Sequence, residues 1–482
     1  MAIISQQTSR RGRWSELGLL VLALAIGLYA YLQVGLATTG SPPTGMVTHV
    51  GVLVLLALGT HVVLRWRAPY ADPVILPTAV ALNGLGLAMI HRLDHAYALR
   101  DMTSGFAPRQ VMWTALGMVA AVVVIIALRD HRLLRRYTYI SMIVGLAMLL
   151  LPLLPVLGEE INGARIWITL GPFSFQPAEL AKVFLAIFFA GYLVTNRDTL
   201  ALAGPKVLGL QLPRLRDLGP ILLAWGVALV VLVFQRDLGT ALLFFALFVA
   251  MLYVATERLS WILIGLLLFA GGAALAATTF GHVAARFDVW LNALDPEVYN
   301  RAAGSYQVVQ GLFGMASGGL MGTGWGQGRP DIVPFAQSDF IIASLAEELG
   351  LTGLLAILLM YLILVQRGMR AAIGVRDGFG TLLASGLSFV IAFQCFVVVG
   401  GVTRLIPLTG LTMPFLAQGG SSLVVNWMIV ALLLRISDAA RRPAALTGDL
   451  PIGPIGPAGD AAEVTFRPTG DDANPTEVVR LS

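Results

Sequence analysis

Cysteine and charge are what this sequence has least of. Cys395 is the single cysteine in 482 residues and falls within an apolar stretch, which excludes disulfides and thiolate metal sites and leaves it a packing role. Charged residues make up 12% of the chain against 57% hydrophobic, and mean hydropathy reaches +0.80. No Gly-Lys-Ser/Thr phosphate loop, no H-E-x-x-H pair and no repeat of helical-hairpin length is present, so an ATP-driven pump or a membrane zinc protease has no support. The net charge of +5 is spread along loop edges and never forms a basic face, which argues against nucleic acid as a partner.

What is abundant is apolar sequence in runs of about 20 residues. Unpaired backbone groups are too costly in hydrocarbon for open structures, and the runs do not alternate every second residue, so the spans are helices and not barrel strands. The expected fold is an all-α polytopic membrane protein with about twelve transmembrane helices. They fall at 17–36, 46–64, 73–91, 111–128, 137–156, 178–195, 219–235, 238–255, 260–280, 338–365, 379–400 and 418–436. The pair meeting at Gln235-Arg236-Asp237 is the least marked division. Residues 1–16 form an N-terminal tail and 17–440 the membrane domain. The Pro/Gly/Asp-rich segment 441–482 reads as a disordered tail.

Basic residues set the orientation, because cytoplasmic loops retain them. Arg10, Arg11 and Arg13 precede the first span, and Arg65 and Arg67 follow the second. Arg129, Arg132, Arg135 and Arg136 follow the fourth, and alternate loops continue the pattern with Arg197, Lys206, Arg214 and Arg216, then Arg258, then Arg367, Arg370 and Arg376, then Arg435, Arg441 and Arg442. Both termini are therefore expected in the cytoplasm, with the long loops 157–177 and 281–337 outside. The first apolar stretch lacks a small-residue cleavage site and is expected to be retained.

The outward loops hold the polar side chains. Asn162-Gly-Ala-Arg-Ile-Trp-Ile168 is too polar to span and too apolar to float, and is expected at the outer interface, with Arg165 and Trp167 available to a ligand. Glu179 and Lys182 lie three residues apart on one helical face. They are either a neutralising pair between helices or a charged pocket for an anionic head group. Asp237 either joins Lys182 or caps the helix that begins Leu-Gly-Thr. The series Gly318, Gly319, Gly322, Gly324, Gly326 and Gly328 lets backbone approach a ligand or another backbone closely, or simply gives a flexible loop. Asp295 and Asp288 are the outer acids able to take a proton from a hydroxyl, though Asp-Pro also begins turns. Glu347 and Glu348, two turns into a span, need partners or a polar cavity. Ser421 and Ser422 open the last helix and offer either phosphate contact or a cap.

The order of these elements is more specific than any one of them. Asn162 to Lys182, Asp237-Leu-Gly-Thr240, Gly304-Ser-Tyr-Gln-Val-Val-Gln310, Ser338-Asp-Phe through Glu-Glu-Leu-Gly350, and Pro407-Leu-Thr-Gly through Gly-Gly-Ser-Ser422 closely resemble the RodA/FtsW family of shape, elongation, division and sporulation proteins, over about residues 110–440. The two additional N-terminal spans and the wording at 403–412 resemble its actinobacterial elongation branch. The resemblance implies a peptidoglycan glycosyltransferase of the bacterial plasma membrane that polymerises lipid II on the outer face, with a class B penicillin-binding protein as transpeptidase partner. Onto this sequence it places Asp295 as catalytic base, with Asp288 in reserve because an insert separates Asp295-Pro296 from Gly304-Ser-Tyr-Gln307. Arg165, Trp167, Glu179, Lys182, Asp237, Gln307, Gln310, Ser421 and Ser422 become substrate-binding candidates. A divalent cation, Mg or Mn, stays open as a cofactor. A lipid II flippase, a division-type polymerase and a scaffold that only activates its partner remain the alternatives. The chain departs from the usual pattern at Arg236 (commonly Pro), Ala178 (Ser) and Gln418 (Tyr).

Overall fold

The computed structural model describes residues 12–443, apart from 44, 101, 103–104, 155–156, 162–163, 172, 202–205, 208–209 and 212–218. Arg10, Arg11, Asn162, Arg214, Arg216 and the tail from 444 onward therefore lie outside the described residues. A first unit runs to Arg442, and all the elements below belong to it.

Helices occupy each of the twelve apolar stretches. They are α1 (Gly12–Thr39), α2 (Met46–Arg67), α3 (Ile75–Ala98), α4 (Phe106–Ala127), α5 (Thr138–Leu150), α6 (Pro177–Ala201), α7 (Gly219–Gln235), α8 (Leu238–Thr256) and α9 (Leu259–Thr279). After α10 (Gly281–Leu291), α11 (Pro296–Asn300) and α12 (Tyr306–Gly318) come α13 (Ile341–Gly374), α14 (Gly378–Val402) and α15 (Gly420–Arg441). Ten helices among the described residues are long and apolar enough to cross a membrane. α3 and α7 are not among the ten: α3 carries Arg92 and Asp94, and α7 has 17 residues. α6, α8, α14 and α15 form the buried centre, while α1, α2, α9 and the outer face of α4 expose leucine, valine and isoleucine as lipid-facing helices do.

Local chemistry explains most boundaries. Arg236 takes a left-handed φ of 56° and Asp237 caps α8 through Thr240, which divides α7 from α8 within two residues. Asp377 likewise caps α14 by accepting from the Gly380 N–H at 2.7 Å. The expected span 137–156 is shorter as a helix, because α5 ends in a 3-10 turn at Leu151–Leu153 containing Pro152. The segment 281–337, read from sequence as one long loop, contains α10, α11 and α12. The segment after α5 forms a three-stranded antiparallel sheet, β1 (Gly158–Ile161), β2 (Ala164–Leu170) and β3 (Phe173–Phe175), the main departure from an all-helical chain. Its signal was present in the alternation Arg165-Ile-Trp-Ile-Thr-Leu170, which places Arg165, Trp167 and Thr169 on one face.

The glycine series serves a second backbone. α13 breaks at Gly350, with φ 68° and ψ −173°, and the strip 318–324 fills the break. Thr323 and Gly324 donate to the Glu347 and Glu348 carbonyls at 3.0 and 2.9 Å, and Leu351 and Thr352 donate to Gly319 and Leu320 at 2.9 and 3.0 Å. A Cβ on Gly322 would stand 2.3 Å from the Glu348 carbonyl, and one on Gly350 would stand 2.2 Å from the Gly322 nitrogen. Only glycine permits this approach. The Glu347 and Glu348 carboxylates complete the clamp. Glu348 pairs with Arg92 at 2.9 Å, both side chains almost wholly buried, and accepts from the Gly326 N–H at 2.9 Å. Glu347 accepts from the Arg329 N–H at 2.7 Å, and Arg92 donates to the Gly328 carbonyl at 2.8 Å. At the same loop α1 packs closely: a Cβ on Gly326 would stand 2.9 Å from Ala37 Cβ. Lower down, α1 crosses α3 where Gly27 meets Gly84.

Replacing Arg92 with Leu leaves Glu348 buried and unpaired, and is expected to cost about 3 to 5 kcal/mol. The double change Arg92→Leu with Glu348→Gln recovers part of that loss. Thermal unfolding of the detergent-solubilised protein measures both, and equal melting of wild type and Arg92→Leu refutes the clamp.

Candidate active site

Glu179 enters α6 in its first turn and Lys182 follows on the same face, so the two side chains meet without any tertiary constraint. Lys182 Nζ lies 2.5 Å from Glu179 Oε2, with side-chain exposures of 1% and 6%. The ammonium also donates to Gln394 Oε1 on α14 at 3.1 Å, and the Gln394 amide donates to the Thr412 carbonyl at 2.8 Å. A buried ammonium thus ties α6 to α14 and to the segment before α15. Asp237 does not join this pair. Its carboxylate is occupied as the α8 cap, accepting from Thr240 N at 3.0 Å and from Thr240 Oγ at 2.5 Å. It remains within electrostatic reach of Glu179 and Arg286.

The serines of Gly-Gly-Ser-Ser are also committed to packing. Ser421 Oγ accepts from the Gln176 N–H at 2.9 Å, and Ser422 Oγ accepts from Asn426 at 3.1 Å. Both residues are buried, at 2% and 5% exposure. They join the start of α15 to the entrance of α6. On the sheet, Arg165 is exposed and pairs with Glu160 at 3.4 Å, while Trp167 is half-buried opposite Glu159. The structure therefore brings Glu179 and Lys182 together, and does not bring Arg165 into contact with them.

Asp295 stands exposed at the turn into α11, where Oδ1 accepts from the Glu297 N–H at 2.9 Å and Oδ2 is left to solvent or a ligand. Asp288 is held on both oxygens, by Asn292 at 2.9 Å and Arg301 at 2.9 Å. The Asn292 hydrogen bond, together with Arg301, holds the Asp288 carboxyl below the usual aspartate range. Of the two, Asp295 is the freer proton acceptor. The insert between Asp295-Pro296 and Gly304 is pinned: Ser305 Oγ donates to the Ala293 carbonyl at 2.5 Å, and a Cβ on Gly304 would stand 2.0 Å from the Val298 carbonyl. Gln307 donates to the Pro334 carbonyl at 3.1 Å and Gln310 to Tyr299 Oη at 2.8 Å, so both support the loop.

Beneath this loop lies an apolar cavity of about 590 Å³ between α8, α9 and α14. α10 forms part of its wall through Val283, Phe287 and Trp290. α10 is latched at two points to the segment after α14: Arg286 donates to the Leu408 carbonyl at 2.6 Å, and Arg404 and Trp290 exchange side-chain to backbone hydrogen bonds of 2.8 and 3.0 Å. Arg286 also acts electrostatically on Asp339, in the turn before α13. Thr409 reaches the cavity from the latch. Sequence reasoning did not single out Gln394, Arg286, Arg404 or Arg92. A lone amide in the run 379–400 was the available signal for Gln394, whereas Arg286 and Arg404 target backbone carbonyls, and Arg92 a carboxylate and a carbonyl, all distant in sequence. Among the described residues no group of three His, Cys, Asp or Glu side chains gathers as a metal site.

The family model for FtsW, RodA and SpoVE, described as a cell cycle protein, matches residues 73–442. The chain belongs to this family. Its relatives include the peptidoglycan glycosyltransferase RodA of Mycobacterium tuberculosis, 48% identical over 435 residues, which are 89% of this chain and 92% of that one. The corresponding protein of Mycobacterium leprae is 50% identical over 392 residues, covering 80% and 82%. A solved chain from work on the structural coordination of polymerization and crosslinking by a peptidoglycan synthase complex is 26% identical, with a TM-score of 0.61 over 77% of this chain and 98% of that one. For this FtsW/RodA/SpoVE family member, the matched region holds every candidate site residue, while α1 and α2 precede it.

Lys182→Met strands the Glu179 carboxylate and is expected to lower stability by about 3 to 5 kcal/mol. Adding Glu179→Gln restores part of it, as thermal melts will register. The Asp288 carboxyl should titrate below an ordinary aspartate in carbon-detected NMR and return upward in Arg301→Ala. Because its folded-state pKa is the depressed one, whatever stability it contributes is present above the unfolded aspartate value and disappears as pH falls through the lower folded value.

Proposed function

We propose that this multi-pass membrane protein is a peptidoglycan glycosyltransferase that polymerises lipid II into β-1,4-linked glycan for cell elongation and shape. The observation that carries the reading is the joining, through α10, of an outer loop bearing a free carboxylate to an apolar cavity large enough for a stretch of lipid chain. A substrate with a sugar at one end and a polyprenyl tail at the other needs both. The names of the mycobacterial relatives support the same activity.

In the reaction the 4-hydroxyl of one GlcNAc attacks the anomeric carbon of the MurNAc of a second lipid II. The C–O bond to undecaprenyl pyrophosphate breaks with inversion, and the proton passes to Asp295. Pyrophosphate is a good leaving group, so no glycosyl-enzyme intermediate is required. Lys182 and Glu179 act by fixing α6 against α14, and exposed Arg165 supplies positive charge for the departing phosphates. The termini lie in the cytoplasm and the Asp295 loop outside, as the basic loops indicate.

The partner is a single-span class B penicillin-binding protein that supplies transpeptidation. Ser421 and Ser422 suit no acylating role, since both are buried and neither begins a Ser-x-x-Lys motif.

A polymerisation assay on purified lipid II, with and without the partner, tests the proposal. Asp295→Asn keeps the side-chain size and removes its basicity, so product should fall at least about a hundredfold, while Asp288→Asn retains activity. The opposite ranking moves the base to Asp288, and transbilayer movement of lipid II without polymerisation favours a flippase. A fluorescent penicillin should label the co-purified partner and leave this chain unlabelled; labelling lost in Ser421→Ala would overturn the division of labour.

A further inference from the structure

A second, smaller cavity of about 180 Å³ lies between α12 and the segment 329–333, apart from the apolar one. Its lining is mixed: Gln310, Phe313 and Ser317 from α12, Arg329 from the loop and Glu347 from α13. Phe313 is 59% exposed, although it stands beside a carboxylate whose residue is only 6% exposed. Glu347 Oε1 is used by the Arg329 N–H. Oε2 turns toward α12, where a Cβ on Gly314 would stand 3.2 Å away, so glycine there keeps the carboxylate open to the cavity. The Gln310 nitrogen is committed to Tyr299, which leaves its carbonyl oxygen as the atom it can offer a ligand.

The lining discriminates among ligands. A phosphate would face the Glu347 carboxylate and gain nothing from an open phenyl ring, and a simple cation would face the Arg329 guanidinium, which Asp331 holds at 3.4 Å. A neutral polyhydroxyl ring satisfies all of them: its hydroxyls donate to Glu347 and Gln310 and accept from Arg329, while its polarised C–H face rests on the electron-rich face of Phe313. The volume is roughly that of one pyranose, about six water volumes. We infer that this cavity is a saccharide subsite, taking one ring of a β-1,4-linked amino-sugar strand.

The subsite shares a frame with the proposed base. Gln310 holds Tyr299, whose N–H donates to the Asp295 carbonyl at 2.8 Å, and Gln307 fixes the opposite wall at Pro334. A strand seated here is anchored one short helix away from Asp295, as processive elongation requires. That assignment of the natural ligand rests on the glycan polymerase reading; the cavity's sugar chemistry does not.

The test uses the full chain in lipid nanodiscs with chitotetraose as the probe, read by saturation-transfer NMR and calorimetric titration. Saturable binding is expected, weakened about tenfold in Phe313→Ala and in Glu347→Gln, which retains an acceptor for the Arg329 N–H. Should Glu347→Gln fail to fold, Phe313→Ala carries the test, because its ring is largely exposed. Absence of saturable binding, or unchanged affinity in Phe313→Ala, overturns the subsite. Asp295→Asn separates the two readings, since it should bind chitotetraose as wild type does while polymerising nothing. If wild type binds the tetrasaccharide but does not polymerise lipid II, the polymerase reading falls and the subsite stands.

Discussion

The break in α13 at Gly350 is the constraint on which the long loop between α9 and α13 depends. A helix interrupted at membrane depth exposes donors and acceptors that hydrocarbon cannot satisfy, each a cost of several kcal/mol if left unpaired. Here a second length of backbone fills the gap, and glycines make its approach possible. Two carboxylates and Arg92 then hold that strip in place. The loop bearing the candidate base is thus mounted on a hydrogen-bonded splice instead of hanging free between two spans.

Charge elsewhere follows the same economy. The Lys182 ammonium is divided between Glu179 and Gln394, and the Gln394 amide is in turn spent on a backbone carbonyl. Asp237, which could have made a third member, satisfies the start of α8 instead. A buried pair of this kind adds little net stability over a well-packed apolar pair, but removing either half is costly, so it fixes which helices meet. In this chain it fixes α6 against α14, beside the wall of the apolar cavity.

Much of this was legible in the sequence, because the membrane leaves few choices. The twelve helical stretches follow from apolar run length, and the Glu179–Lys182 pair follows from helical spacing alone. The turn that Asp-Pro signals is present at Asp295, where the carboxylate caps α11 with one oxygen and leaves the other free. The rest depended on distant partners. Glu347 and Glu348 announced a need for partners, but Arg92 lies some 250 positions earlier, and nothing local names it. Glycine spacing could not say whether a ligand or another backbone would come close. The small sheet was missed because its alternation is short and sits among helices. Ser421 and Ser422 look the same in sequence whether they face solvent or bury themselves against Gln176 and Asn426.

The contact between Gly326 and α1 joins parts of different standing. α1 and α2 lie before the matched region 73–442, whereas Gly326 lies within it. At 2.9 Å to Ala37 from where a Cβ would be, any side chain at 326 would run into α1. The N–H of the same residue is held by the Glu348 carboxylate at 2.9 Å. Position 326 therefore meets two neighbours with backbone alone, and any larger residue there would have to part the glycine strip from α1.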